Sequence, residues 1–174
     1  MVSESRKDHS RNGRKVFTVD EANAALPLVR AIVHDLAQLS REVIERRDRL
    51  SLLLAGRDRG AGDMYGQELV QIEEELGKDS QRLQEYVEEL RQLGVEPKNG
   101  PEGLVDFPAM MDGRLVYLCW KLGESEILHW HELDAGFRGR QSLAAGAVAL
   151  AAGAVAADST EDGSLDTGSD PLDH

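Results

Sequence analysis

Residues 103–132 read GLVDFPAMMDGRLVYLCWKLGESEILHWHE, and the way this stretch divides decides the fold. It is rich in Val, Tyr, Leu and Trp and is punctuated by turn residues, a composition that favours extended chain over helix. Leu104 to Phe107 predicts a first short strand, ended by Pro108. Asp112-Gly113 is a strong tight-turn signal, because both central residues of such a turn need φ > 0. Arg114 to Lys121 is a second strand, Gly123 turns the chain again, and Ile127 to Glu132 is a third. Three short strands in succession predict a small antiparallel β-meander within residues 103–133.

Side chains alternate faces along a strand, so the same stretch sorts its residues into two surfaces. Val105, Phe107, Val116, Leu118, Trp120, Leu128 and Trp130 fall on one, all apolar and suited to packing. Leu104, Asp106, Leu115, Tyr117, Cys119, Ile127, His129 and His131 fall on the other, which mixes apolar bodies with carboxylate, phenol, thiol and imidazole.

Upstream the period changes. Thr18 followed by Glu21 makes a capping box, with Phe17 in the position of a hydrophobic staple, so a helix starts here. Pro27 lacks an N–H and disfavours helical geometry at Leu26, predicting a short turn from Asp20 to Ala25 and then a long helix from near Pro27. Leu26, Val29, Val33, Leu36, Val43, Leu50 and Leu54 follow heptad steps, with Ser40 and Arg47 in the missing positions. Gly56, Gly60 and Gly62, with Asp58 and Asp63, break the pattern. Leu69, Ile72, Leu76, Leu83, Tyr86, Leu90 and Leu93 restart it, with Asp79 at the gap, and Gly94 stands where a helix C-terminus favours glycine. Gly77 is a candidate bend. Two heptad-patterned helices over residues 20–93, joined by a glycine-rich connection, predict a coiled-coil-like antiparallel hairpin. The same stripes also suit a dimer or a protein partner, since polar residues at core positions can select oligomer state.

Downstream of the hairpin, after Pro97, Asn99, Gly100 and Pro101 predict a turn, and beyond His131 Gly136 and Gly139 mark an exit loop. The fold expected is therefore α+β: the helical hairpin, then the three-stranded meander, in one domain over residues 16–143. Residues 1–15 read as a disordered basic leader, with Arg6, Lys7, Arg11, Arg14 and Lys15 against Glu4 and Asp8. Residues 144–174 read as an Ala/Gly-rich segment and a disordered acidic tail. The 174 residues carry a formal net charge of −12, which argues against a nucleic-acid partner held through phosphates. The single cysteine excludes an intramolecular disulfide, no apolar stretch follows the basic leader, and residues 144–157 are too short and weakly apolar for a membrane span. A cytoplasmic location and no membrane partner are the expectations.

The second sheet face supplies the candidate chemistry. A metal reading takes His129, His131, Cys119 and Asp106 as ligands, because His at i and i+2 on a strand point the same way and imidazole with thiolate suits a zinc-like divalent ion. No HExxH or CxxC motif accompanies them, so the spacing permits a site without diagnosing one. The structural reading has His129 exposed, His131 hydrogen-bonded and partly buried, and Cys119 packed as a small apolar group. A hydrolytic reading makes Cys119 a nucleophile, His131 its base and Asp106 the orienting carboxylate. Between Leu118 and Trp120 in mid-strand, however, a thiol lacks the access and electropositive setting that reactivity needs. Glu124, Glu126, Arg138 and Arg140 sit in expected loops, where the two arginines could bind an anion or simply be solvated.

The strings Gly103-Leu-Val-Asp-Phe-Pro, Val116-Tyr-Leu-Cys-Trp-Lys-Leu-Gly-Glu124, Trp130-His-Glu and Gly136-Phe-Arg-Gly-Arg140 resemble the bacterial domain-of-unknown-function family numbered 2203. So do Phe17-Thr-Val-Asp-Glu-Ala-Asn23 and Leu26-Pro27. The resemblance runs from Phe17 to Leu143 and carries no activity with it. It implies the helix-then-sheet order and directs attention to Asp106, Cys119, Trp120, Glu124, Trp130, His131, Glu132, Arg138 and Arg140. His129 falls between the characteristic residues and is the weakest of the metal candidates. The candidate binding residues are thus Asp106, Tyr117, Cys119, Glu124, His131, Glu132, Arg138 and Arg140. The leading expectation is a non-catalytic module that binds itself or another protein through the hairpin; the alternative is a metal- or thiol-dependent hydrolase using the sheet cluster.

Overall fold

The structure, a computed structural model, describes residues 15–55 and 64–144. The basic leader up to residue 14, the glycine-rich connection 56–63 and the Ala/Gly segment with the acidic tail, 145–174, lie outside the described residues. Helix α1 spans Val19–Ala55 and α2 spans Met64–Gln92. The capping box forms as the residues dictate: Glu21 N–H donates to Thr18 Oγ1 at 3.1 Å and Thr18 N–H to Glu21 Oε2 at 2.9 Å. Phe17 is buried, with its ring edge-on to Phe107 at 5.3 Å.

Pro27 does not divide the helix. α1 runs through it without a break, because the residues around it, Ala22, Leu26 and Val29, are all buried. Burial of that face offsets the roughly 3 kcal/mol that an interior proline costs a helix. Gly77 likewise leaves α2 continuous. The helix stops where Gly94 takes φ +86°, and Val95 N–H returns to Leu90 O at 2.9 Å.

The two helices pack antiparallel, and the polar gaps in their stripes are used within the chain. Asp79 is the partner of Arg46, whose Nε also lies 3.8 Å from Glu75. Ser40 is buried against Gly100, where an added Cβ would come within 2.8 Å of the Ser40 hydroxyl. Arg47, the third gap, is exposed.

The sheet has five strands, not three, in the order β1 (Glu96–Asn99), β2 (Leu104–Met111), β3 (Arg114–Lys121), β4 (His129–His131) and β5 (Gln141–Ser142), every neighbouring pair antiparallel. The expected meander is its centre. β1 occupies part of the segment read as a turn, since an edge strand tolerates Pro97 by leaving one side without ladder donors. β2 continues past Pro108 to Met111. The Pro108 carbonyl accepts Phe17 N–H at 2.7 Å, so the hydrogen-bonding edge of residue 108 faces Phe17 rather than β3 and its missing donor is not called on by that ladder. The Asp112-Gly113 turn forms as expected, with both residues at positive φ.

β4 is shorter than the predicted Ile127 to Glu132 because the Ile127 N–H is taken by Asn23 Oδ1 of α1 at 2.8 Å. Strand alternation therefore fails at its start: Ile127 turns inward and Leu128, expected in the core, is 46% exposed. The other expected core residues, Val105, Phe107, Val116, Leu118, Trp120 and Trp130, are all buried. α1 is tied to the sheet end by Arg41 donating to Pro101 O at 2.8 Å and Arg30 donating to Ser125 O at 2.9 Å. Among the described residues, no helix is long and apolar enough to cross a membrane.

Candidate functional site

Register assembles the polar face of the sheet. Glu96 pairs with Asp106, Asp106 with Cys119, Cys119 with His129 and His129 with Ser142, so one transverse row crosses all five strands. Directly paired residues share a face and stand about 5 Å apart at Cβ. In the next row Tyr117 pairs with His131.

His131 leans back into the first row. Its Nε2 lies 3.1 Å from Asp106 Oδ2, while its Nδ1 lies 2.7 Å from the Glu132 carbonyl. A carbonyl only accepts, so Nδ1 carries a hydrogen and Nε2 is the atom turned toward Asp106. Cys119 completes the group: one ligand atom from each of Asp106, Cys119 and His131 lies within 4.8 Å of the others. Among the described residues this is the one group of three or more His, Cys, Asp or Glu side chains close enough to share a metal ion.

The trio is sealed. Asp106 and His131 are 2% exposed and Cys119 is 1% exposed. Burial pushes the Asp106 carboxyl up from its ordinary range, against the opposing pull of His131, the Cys119 hydrogen bond and Lys98. Burial, reinforced by the Asp106 carboxylate, pushes the Cys119 thiol up to about 12, with Arg140 opposing. A thiol so placed is neutral at ordinary pH and is not a poised nucleophile.

Polar networks flank it on both sides. On the β1 side, Tyr117 OH donates to Glu96 at 3.0 Å, and the Lys98 ammonium contacts Glu96 at 2.7 Å, lies 4.0 Å from Asp106 and sits 4.7 Å over the Tyr117 ring. Burial lowers the Lys98 pKa, but Glu96, Tyr117 and Asp106 together more than reverse this and leave it raised. On the β5 side, Arg140 donates to Glu124 and, at 2.7 Å, to His129 Nδ1, and its guanidinium stacks 4.6 Å over Phe137. Glu124 also accepts the Lys121 N–H at 2.8 Å, closing the Gly123 turn.

The candidate residues thus separate. Asp106, Cys119 and His131 converge, with Tyr117 beside them, its ring 5.6 Å from that of His131. Glu124 and Arg140 form a neighbouring ion pair that holds His129, which is half-buried and outside the trio. Glu132 faces the opposite side, paired with Arg114 at 2.9 Å, and Arg138 is exposed on the short 3₁₀ turn Phe137–Gly139. Glu96 and Lys98 are not among the sequence candidates, since Pro97 between them and the turn residues from Asn99 on mask β1; their alternation around Pro97 is the available signal.

The hairpin offers a different kind of surface. Every buried residue of α1 lies between Ala22 and Val43, although apolar residues continue to the helix end. Ile44, Leu52, Leu54 and Val70 are all exposed, Leu52 to 75%.

Residues 15–143 match the model of a family described as uncharacterized conserved protein (DUF2203). No curated protein and no solved structure matches the chain.

Proposed function

The chain belongs to the DUF2203 family, and because that description assigns no activity we propose a function from the geometry: an interaction module whose hairpin, beyond Val43, docks a second copy of the chain. The observation that carries this reading is the exposure of four apolar side chains, Ile44, Leu52 and Leu54 on α1 beyond its last buried residue and Val70 on α2. A two-helix layer covers only one side of each stripe, and a second hairpin closes it into a four-helix bundle. Full burial returns up to about 1.5–3 kcal/mol for Leu52 and roughly half of that for the half-exposed Ile44, Leu54 and Val70.

Charge favours the same occupant. Arg47 and Arg49 are exposed on this part of α1, and Glu73 and Glu74 on the facing part of α2, so α1 of one copy complements α2 of another. Sedimentation equilibrium of the purified chain tests the reading: a dimer is expected, and Leu52→Glu with Val70→Glu should give a monomer whose tryptophan fluorescence is unchanged. A wild-type chain that stays monomeric at every concentration overturns it.

A hydrolase built on the sheet cluster has one observation in its favour, the 3.1 Å contact between His131 and Asp106 beside Cys119. Its thiol-dependent form is opposed by the sealing of Cys119 and the raised thiol pKa. Incubating the chain with thiol-ester and amide substrates, with iodoacetamide as inhibitor, tests it: alkylation-sensitive turnover by the folded protein would restore that form.

A further inference from the structure

We propose that Asp106, Cys119 and His131 form a binding site for one zinc-class divalent cation that clips together the three central strands of the sheet. The inference rests on the sheet alone and stands apart from the hairpin reading. Its donor set is one carboxylate oxygen, one thiol sulfur and one imidazole nitrogen. Magnesium and calcium prefer all-oxygen sites, whereas mixed nitrogen, sulfur and oxygen donors suit zinc and cobalt(II).

Distance supports the assignment. Metal–ligand bonds of about 2.0–2.3 Å in a tetrahedral site place ligand atoms roughly 3.3–3.8 Å apart. His131 Nε2 and Asp106 Oδ2 are already 3.1 Å apart, and one ligand atom from each of the three residues lies within 4.8 Å of the others. The widest separation that a tetrahedral set would have to close is about 1 Å.

Orientation is the second, independent observation. Imidazoles that bind metals characteristically donate their other N–H to a carbonyl or carboxylate, which fixes the tautomer and aims the free lone pair. His131 does this with the Glu132 carbonyl at 2.7 Å, and the nitrogen left over is the one that faces Asp106. The ligands come from β2, β3 and β4, whose register fixes their spacing.

Charge balances as well. On binding, the Cys119 S–H bond breaks, the sulfur keeps the electron pair that bonds the ion, and the proton passes to solvent; any proton on Asp106 leaves the same way. Thiolate and carboxylate then neutralise a dication, removing the cost of an unpaired buried charge. Three protein ligands leave one tetrahedral position, and the burial of the site restricts it to a water-sized ligand. His129 is not a ligand here, since Arg140 donates to its Nδ1 and holds it toward Glu124.

Because the site is sealed, the test loads the metal during folding. The tag-free chain is unfolded, refolded with cobalt(II), freed of excess ion, and examined by elemental analysis and absorption. One cobalt per chain and a thiolate-to-cobalt charge-transfer band are expected. The band should vanish in Cys119→Ser and binding should weaken at least tenfold in His131→Ala, while His129→Ala keeps both. Zinc in place of cobalt should raise the Tm of the wild-type chain above that in chelator. Refolded wild-type protein without stoichiometric cobalt overturns the proposal whatever the variants do, and so does a band that survives in Cys119→Ser.

Discussion

Asp106 and His131, both ionisable, are almost wholly buried in the sheet, whereas Leu52, an apolar residue on a heptad-patterned helix, stands open on the hairpin. The contrast shows that burial in this molecule follows the presence of neighbouring chain rather than the polarity of the residue. Around Asp106 the register of five strands surrounds each side chain with others, and its carboxyl lies 3.1 Å from His131 Nε2 and 4.0 Å from the Lys98 ammonium. Leu52 lies nine residues past Val43, the last buried residue of α1, and is 75% exposed. One region is over-determined by contacts; the other leaves apolar side chains in the open.

Mutations in the two regions should therefore differ in kind. Trp120→Ala should have the largest effect, a loss of about 3–5 kcal/mol in urea unfolding, because it empties a fully buried site and removes the Nε1–H bond to Glu124 O at 3.1 Å. A cost below 1 kcal/mol there would dissolve the contrast. In metal-free protein, His131→Ala should cost roughly 1–3 kcal/mol, since it leaves the Asp106 carboxyl buried without its main partner. Equal stability of the variant and the wild type would mean that the pair contributes nothing net.

Cys119 sharpens the comparison through pH. Its folded thiol pKa is raised to about 12 from 9.0, so the folded state favours the protonated form. The associated stability is present in full below pH 9.0 and is lost as pH rises toward about 12. Metal-free wild-type protein should lose stability across that alkaline window more steeply than Cys119→Ala, and iodoacetamide should alkylate the thiol only on unfolding. Parallel alkaline curves for the two proteins would contradict the assignment.

Thr18→Ala should cost about 1 kcal/mol by removing the helix cap, read as a small fall in the urea midpoint. Leu52→Ser should have the least effect, within about 0.5 kcal/mol when measured at concentrations where the chain is monomeric. Were it to rival Trp120→Ala, the hairpin arm would be part of the core after all.

The local devices were legible because they need only neighbouring residues. Thr18 and Glu21 cap each other across one turn, Gly94 ends α2 by its φ, and Asp112-Gly113 reverses the chain. The prolines were misread for the opposite reason. Whether Pro27, Pro97 or Pro108 interrupts an element depends on what packs beside it and which strand edge its missing donor faces, and neither is visible from the residues on either side. Ile127 and Leu128 exchanged places because a side chain from Asn23, far earlier in the chain, captured the strand's first donor. The candidate site was half legible: alternation put Asp106, Cys119 and His131 on one face, but only cross-strand register could bring them within reach or bury them.

By itself, the sequence determined the order of helices and strands, the caps and turns that bound them, and which residues of β2 and β3 share a face, because periodicity and backbone stereochemistry act over a few residues. The tertiary structure alone decided that the sheet has five strands, that Asp106 meets His131, and that Leu52 and Val70 stand exposed on the hairpin. Those outcomes depend on register and packing between segments distant in the chain, whose energies no local pattern encodes.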